Sequence, residues 1–339
     1  MIETQLNQIT NVKGSSRKKL QDITQPVAAE LDAFHSFYKE AIRTDVFLLD
    51  KVLRYLLRQK GKEIRPTLVF MSARLFGKIN ERSHIAATMI ELLHTATLIH
   101  DDVVDEANVR RGFLSINKVW KNKASVLLGD FMLSKGLLIA LDHDEFQLLK
   151  VLSKAVKNMS EGELRQFKAA RLFNMDEEYY FKVIAEKTAS LIASCCECGA
   201  ISTTDDPELH QAMHDIGMCM GIAFQIKDDL FDYGTSDVGK PRRNDIKERK
   251  VTLPLIKALE NAGNIEQARI RYLMWKRKKK KKDIDAIVNF VHEKGGIKYA
   301  TAIMTEYAEK AKNKLAALPQ SPERENFKSL IDFIINRKK

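Results

Sequence analysis

The sequence predicts an all-α protein, a single large helical bundle around a central cavity. Three observations carry that prediction. Only 15 glycines and 7 prolines interrupt 339 residues, few enough breakers for long helices. Apolar residues recur at intervals of three and four along most of the chain, and no period-two alternation of any length occurs. Two apolar helical runs end in the same spacing of carboxylates, Asp101-Asp102-x-x-Asp105 and Asp228-Asp229-x-x-Asp232.

The elements follow in order. Leu31, Phe34, Phe37 and Tyr38, then Val46, Leu49, Val52, Leu53 and Leu56, mark two helices between Val27 and Gln59. Gly61-Lys-Glu-Ile-Arg-Pro66 breaks them. Pro66 can open the next helix, which runs to Phe76 with Gly77 as its cap. Glu81 to Asp105 is one long helix. Asn117–Leu141 and Phe146–Phe173 are two more, followed by Asp176–Cys198 and Pro207–Asp232. Residues 234–249 read as a basic loop. Helices then start at Val251 and span about 264–276, 284–294, 297–316 and 322–337. The chain divides into a flexible N-terminal segment, 1–20, and one domain, 21–339.

Composition bounds the function. Hydrophobic residues make up 45% and charged residues 30%, the balance of a soluble globular protein. No segment reaches the roughly 18 uncharged apolar residues that a bilayer span requires. Met1 to Leu20 is polar, without the apolar centre of a signal peptide, so a cytoplasmic location is expected. Net charge is +11, and Lys276-Arg-Lys-Lys-Lys-Lys-Lys282 supplies part of it. That run reads first as a solvated loop or helix end, with an anionic membrane surface as the functional alternative. One adjoining aromatic, Trp275, makes no stacking platform, so nucleic acid is rejected as a partner. Cys195 and Cys198 have C-x-x-C spacing, but no second pair or nearby histidine completes a zinc set. With Cys196 and Cys219 they read as buried structural thiols. A glycine-rich nucleotide loop, G-x-S-x-G and H-E-x-x-H are all absent from the sequence.

The chemistry is carried by the two acidic clusters. On a helix, His94, Thr97, Asp101 and Asp105 share one stripe, as do Gln225, Asp228 and Asp232. Carboxylates packed this way repel unless a cation joins them. Hard divalent cations prefer oxygen ligands and bridge carboxylates to substrate phosphates. A lone cluster reads equally well as a solvated helix end; the second copy favours two walls of one metal-filled mouth. Lys62 and Arg65 at a helix start form an anion clamp, and Arg110 and Arg111 match phosphate geometry. Lys187 and Thr188, set in a small apolar stretch, offer a second anion contact. Together these parts suit a diphosphate held by metals and cations while its hydrocarbon tail lies among apolar helices.

The ordered set of motifs resembles the trans-isoprenyl diphosphate synthases, the polyprenyl synthetase family. It comprises Gly61-Lys-Glu-Ile-Arg-Pro66, His94, Asp101-Asp-Val-Val-Asp105 with Arg110-Arg-Gly112, Gly129-Asp-Phe131, Lys187-Thr188, and Phe224-Gln-x-x-Asp-Asp-x-x-Asp232 with Gly239-Lys240. The resemblance extends from about residue 25 to 337. It implies the isoprenoid synthase fold, usually as a homodimer, and three Mg²⁺ ions, with Mn²⁺ as an alternative. It implies that Asp101 and Asp105 hold two ions with the allylic diphosphate. Asp228 holds the third, and Asp229 and Asp232 support it; Asp102 is counted with these five aspartates as catalytic. Lys187, Thr188, Arg110, Gln225 and Lys240 contact the allylic diphosphate; Lys187 also counts among the catalytic residues. Lys62, Arg65, His94 and Arg111 hold isopentenyl diphosphate. Arg243 and Arg249 stand where the family commonly carries glycine.

Product length is set below Asp101. One helical turn rises about 5.4 Å, close to one isoprene unit. One turn below lie Ala96 and Thr97, with Leu93 lower, and none of them is aromatic. This resembles the long-chain synthases and suggests seven to nine isoprene units. Geranylgeranyl or farnesyl diphosphate synthesis is the alternative, and a non-catalytic regulatory subunit is the alternative of another class.

Overall fold

The computed structural model describes residues 20–58, 63–105, 109–110, 113–172, 176–234 and 243–337. All but the last residue of the segment expected to be flexible, 1–20, lies outside them. Helices dominate, as expected. In order they are α1 (Ala28–Ala41), α2 (Phe47–Leu57), α3 (Ile64–Arg74), α4 (Glu81–Val104), α5 (Ile116–Asp142) and α6 (Phe146–Leu172). Then come α7 (Glu177–Ile184), α8 (Ser190–Ile201), α9 (Pro207–Asp232), α10 (Asn244–Lys247), α11 (Leu253–Glu260) and α12 (Asn264–Trp275). The last three are α13 (Lys281–Glu293), α14 (Gly296–Ala316) and α15 (Pro322–Asn336). One antiparallel pair, β1 (Val109–Arg110) with β2 (Phe113–Leu114), joins α4 to α5.

The chain forms two compact units. One contains Thr24–Val156 and Ser194–His214; the other contains Lys157–Ala193 and Asp215–Lys339. The first unit is built on α3, α4 and α5. Leu68, Val69 and Phe70 of α3, Ile90 and Leu92 of α4, and Leu128 and Met132 of α5 are all 0–1% exposed. Full burial of each such side chain contributes about 1.5–3 kcal/mol. In the second unit Ile226, Ile287, Val291, Phe327 and Leu330 play the same part. Asn80 caps α4, its Oδ1 accepting from the Ser83 N–H at 3.1 Å, while the Ser83 hydroxyl serves the Asn80 N–H.

Five expectations need correction, the first being the loop expected at 234–249, which contains the short helix α10. The expected single helix from Asp176 to Cys198 is two helices, α7 and α8, joined by a π-helical turn at Ala185–Ala189. The extra residue in that turn leaves no mark on the apolar spacing. Helix α3 opens at Ile64, so Pro66 sits inside its first turn, where the missing N–H costs nothing. Leu75, in a right-handed conformation, closes α3 in place of Gly77. The expected helix Asn117–Leu141 is present as α5, but Lys121, at φ 68° and ψ 165°, kinks it near its start. By length and composition α5 could cross a membrane, with 28% of its most apolar stretch buried, while Asp130 and Lys135 leave it no uncharged run of 18 residues.

Candidate active site

The first acidic cluster ends α4. Asp102 is buried, Asp101 half-buried and Asp105 exposed. The Asp105 N–H closes the last turn on the Asp101 carbonyl at 2.8 Å, and Asn117 Nδ2 donates to the Asp102 carbonyl at 2.9 Å. The expected stripe therefore forms: Asp101 and Asp105 stay accessible one turn apart, and Asp102 turns inward. His94 lies on the same helix, buried, its carbonyl accepting from Thr97 Oγ1 at 2.9 Å. Arg65 Nη1 stands 3.8 Å from Glu91 Oε2. Gly129 of α5 lies against α4, where a Cβ would come within 2.2 Å of His100 Nε2. The neighbour is the end of the His100 ring, which itself lies 3.3 Å from the Val126 carbonyl.

Below this cluster Ala96 is buried and Thr97 half-buried. An apolar cavity lies further down, lined by Met89 and Leu93 of α4, Leu133 and Gly136 of α5, and Leu149 and Leu152 of α6. Leu93 lines that cavity; Ala96 and Thr97 do not.

The second cluster ends α9. Asp229 and Asp232 are buried, and Asp228 is partly exposed. A chain of hydrogen bonds orients them. Thr188 Oγ1 donates to Gln225 Oε1 at 2.8 Å, and Gln225 Nε2 donates to Asp229 Oδ1 at 2.8 Å. The Tyr180 hydroxyl donates to the other oxygen, Asp229 Oδ2, at 2.6 Å. The Asp245 N–H donates to Asp232 Oδ2 at 2.6 Å. Burial, reinforced by the Asp245 carboxylate, pushes Asp229 up to about 8 and Asp232 up to about 6. Burial also raises Asp245 itself.

The π-helical turn presents Lys187 and Thr188. Lys187 pairs with Glu163, and Arg165 Nε with Glu186 Oε2 at 2.7 Å. A Cβ on Gly162 of α6 would fall 2.6 Å from the Lys187 nitrogen, so only glycine lets α6 approach the turn this closely. On the next turns, Gly221 and Gly217 of α9 meet Ala189 and Ala193, where added Cβ atoms would lie 2.5 and 2.6 Å from the alanine Cα atoms. This seam of small residues brings α9 close enough for the short Thr188 side chain to reach Gln225. Such π turns recur at functional sites.

Sequence reasoning missed four contributors: Tyr180, Asp245, Glu163 and Arg337. Arg337 is 8% exposed, its Nη2 donating to Asp228 Oδ1 at 2.7 Å and to the Phe224 carbonyl at 3.3 Å. Its guanidinium carbon sits 4.0 Å from the Phe224 ring centre and 5.4 Å from that of Phe231. Lys62, Arg111, Lys240 and the Arg110 side chain lie outside the described residues. Arg243 and Arg249 both adopt left-handed backbone, φ 52° and 64°, the conformation glycine takes most easily. Arg243 compensates in part by pairing with Asp285.

The chain has the all-α isoprenoid synthase fold of its structural neighbours. The comparisons are specific. The polyprenyl synthetase family profile matches residues 46–291. Octaprenyl diphosphate synthase from Escherichia coli strain K12 is 32% identical, over 94% of this chain and 99% of its own. The crystal structure of a decaprenyl diphosphate synthase from Rhodobacter capsulatus superposes with TM-score 0.89 at 32% identity, covering 94% and 99% of the two chains. A polyprenyl synthase from Caulobacter crescentus CB15, complexed with calcium and isoprenyl diphosphate, gives TM-score 0.86 at 30% identity, covering 95% and 98%. The chain belongs to the polyprenyl synthetase family. It is an enzyme, a trans-prenyltransferase.

Proposed function

We propose that the protein condenses isopentenyl diphosphate with an allylic diphosphate, repeatedly, to make an all-trans polyprenyl diphosphate of seven to nine isoprene units. The observation that carries this reading is the Thr188–Gln225–Asp229–Tyr180 hydrogen-bond chain. It fixes the second aspartate cluster in place and leaves Asp228, partly exposed and paired with Arg337, outside that chain. The octaprenyl and decaprenyl synthases among the relatives support the long product.

The donor set fits a hard cation. The ligands are carboxylate oxygens, and burial drives Asp229 and Asp232 upward, a shift that a neighbouring cation reverses. Among the described residues, no three Asp, Glu, His or Cys side chains form a ready metal cage. Mg²⁺ commonly needs only one or two carboxylates, completing its shell with water and phosphate. Asp101, Asp105 and Asp228 would hold three Mg²⁺, or Mn²⁺, with Asp102, Asp229 and Asp232 as supports. Bound there with diphosphate, the metal supplies charge that stabilises departing pyrophosphate.

The chain's own residues do the rest. Lys187, Thr188, Gln225, Arg110 and Lys240 bind the allylic diphosphate, and Lys187, released from Glu163, balances the charge that develops on it. Lys62, Arg65, His94 and Arg111 hold isopentenyl diphosphate. The apolar walls around Leu93 and Met89 exclude water from the growing tail.

We assign a homodimer as the working form. Leu127, Leu138 and Leu141 of α5 are 59%, 50% and 49% exposed and share one helix face, an apolar stripe that a second copy would cover. The thiols of Cys195, Cys196 and Cys198 are buried as expected, that of Cys219 only half-buried, and four free thiols fit a cytoplasmic location.

A product assay tests the reading. Protein, Mg²⁺, isopentenyl diphosphate and either farnesyl or geranylgeranyl diphosphate are combined, and the product chains are sized. A ladder ending in one long product is expected. A stop at farnesyl or geranylgeranyl length would keep the reaction and overturn the length, and no elongation would leave a regulatory subunit.

A further inference from the structure

Helix α12 is amphipathic in an unusual sense. It buries Ile270, Leu273 and Met274, yet its opposite side exposes Ile265 at 88% and Tyr272 and Trp275 at 63% each. Spacings of seven and three put those three side chains on one outward stripe. The cationic run begins at the next residue. Lys276 is engaged, its Nζ 3.0 Å from Asp283 Oδ1 and 5.3 Å from the Tyr272 ring centre. Lys279 donates to the Lys276 carbonyl at 3.1 Å. The other five cations, Arg277, Lys278, Lys280, Lys281 and Lys282, are exposed and have no ion pair among the described residues.

The nearby acids are already matched. Glu266 pairs with Lys294 at 2.7 Å, Asp285 with Arg243, and Asp283 with Lys276 while accepting the Lys280 N–H at 2.9 Å. Lys281 and Lys282 also open α13, where the helix dipole disfavours cations. An external anionic surface is the counterpart this arrangement calls for.

We propose that the stripe Ile265–Tyr272–Trp275 and the cations Arg277–Lys282 together form a docking surface for an anionic lipid bilayer. Tyrosine and tryptophan suit the boundary between headgroups and acyl chains, where one end of the ring is wet and the other apolar. Ile265 enters the same boundary. The lysines and Arg277 lie against acidic headgroups, each contributing roughly fivefold to partitioning. With only three apolar side chains the attachment is peripheral and reversible. A polynucleotide would use the cations but would leave Ile265 and Trp275 without a role.

Vesicle sedimentation tests this with the full chain and no substrate, so the result is independent of the reaction proposed above. Vesicles of phosphatidylcholine are compared with vesicles that also contain phosphatidylglycerol. Co-sedimentation with the anionic vesicles alone is expected, reversed by high salt, with a blue shift of tryptophan emission that Trp275→Phe abolishes. Lys280→Gln/Lys281→Gln/Lys282→Gln should weaken partitioning about a hundredfold. Tyr272→Ala/Trp275→Ala should weaken it as well, with melting temperature and prenyltransferase activity unchanged in both variants. Equal sedimentation with both vesicle types, or none, would overturn the proposal. So would tight binding to duplex DNA that depends on the lysines and ignores Trp275.

Discussion

Arg337 places its guanidinium 2.7 Å from the Asp228 carboxylate, joining the end of α15 to the second acidic cluster. The guanidinium occupies the carboxylate that the site reading gives to the third metal ion. Arg337→Ala should lower the stability of the metal-free protein by about 1–2 kcal/mol, since Asp228 is only partly exposed and loses its partner. It should also enlarge the melting shift produced by Mg²⁺ with inorganic pyrophosphate, because a competitor has gone. Thermal melts with and without those additions decide it. An unchanged shift would show that Arg337 does not compete for Asp228.

Asp229 makes metal-free stability depend on pH. Its carboxyl is pushed up to about 8 in the folded chain, against an ordinary 3.8. Between those values the unfolded chain binds fewer protons than the folded one, so stability falls as pH rises. Metal-free protein should be more stable at pH 5 than at pH 8, on the order of a few kcal/mol from this group. Asp229→Asn should flatten that difference. Denaturant titrations of the two proteins across this range measure it directly.

Ala96 sits one turn below Asp101, and Leu93 lines the cavity beneath. Ala96→Phe should shorten the product by several isoprene units while leaving the first condensation intact. Sizing the products by chromatography is sufficient; an unchanged length would remove α4 as the wall that sets it.

Arg249 holds a left-handed backbone at φ 64°, which costs a non-glycine residue about 1–2 kcal/mol. Glycine removes that cost and adds unfolded-chain entropy worth about 0.5–1 kcal/mol. Arg249→Gly should therefore hold or slightly raise the melting temperature, whereas Arg249→Val should lower it. Equal losses in the two variants would contradict the backbone explanation.

Most of the fold was legible because long apolar helices declare themselves by their spacing; Pro207–Asp232 appears with the expected bounds. Asp228, Asp232 and Gln225 were legible for the same reason, since helical periodicity puts them on one face. Tyr180 and Arg337 were not, because they reach Asp229 and Asp228 from 49 and 109 residues away with no local pattern to mark them. The π-helical turn was hidden too: its added residue alters the hydrogen-bond register and leaves the composition unchanged. The glycines of α9 stood in plain view, but their meaning depends on which helix lies opposite.

That glycine seam works as a gauge block. It sets the gap between Ala189–Ala193 and α9, and the reach from Thr188 to Gln225 inherits whatever tolerance the gap has. One methyl group at Gly217, two turns from Gln225, would therefore be read out at a carboxylate it never touches. Variation in the chemistry of this enzyme can accordingly originate in packing positions that carry no polar atom at all.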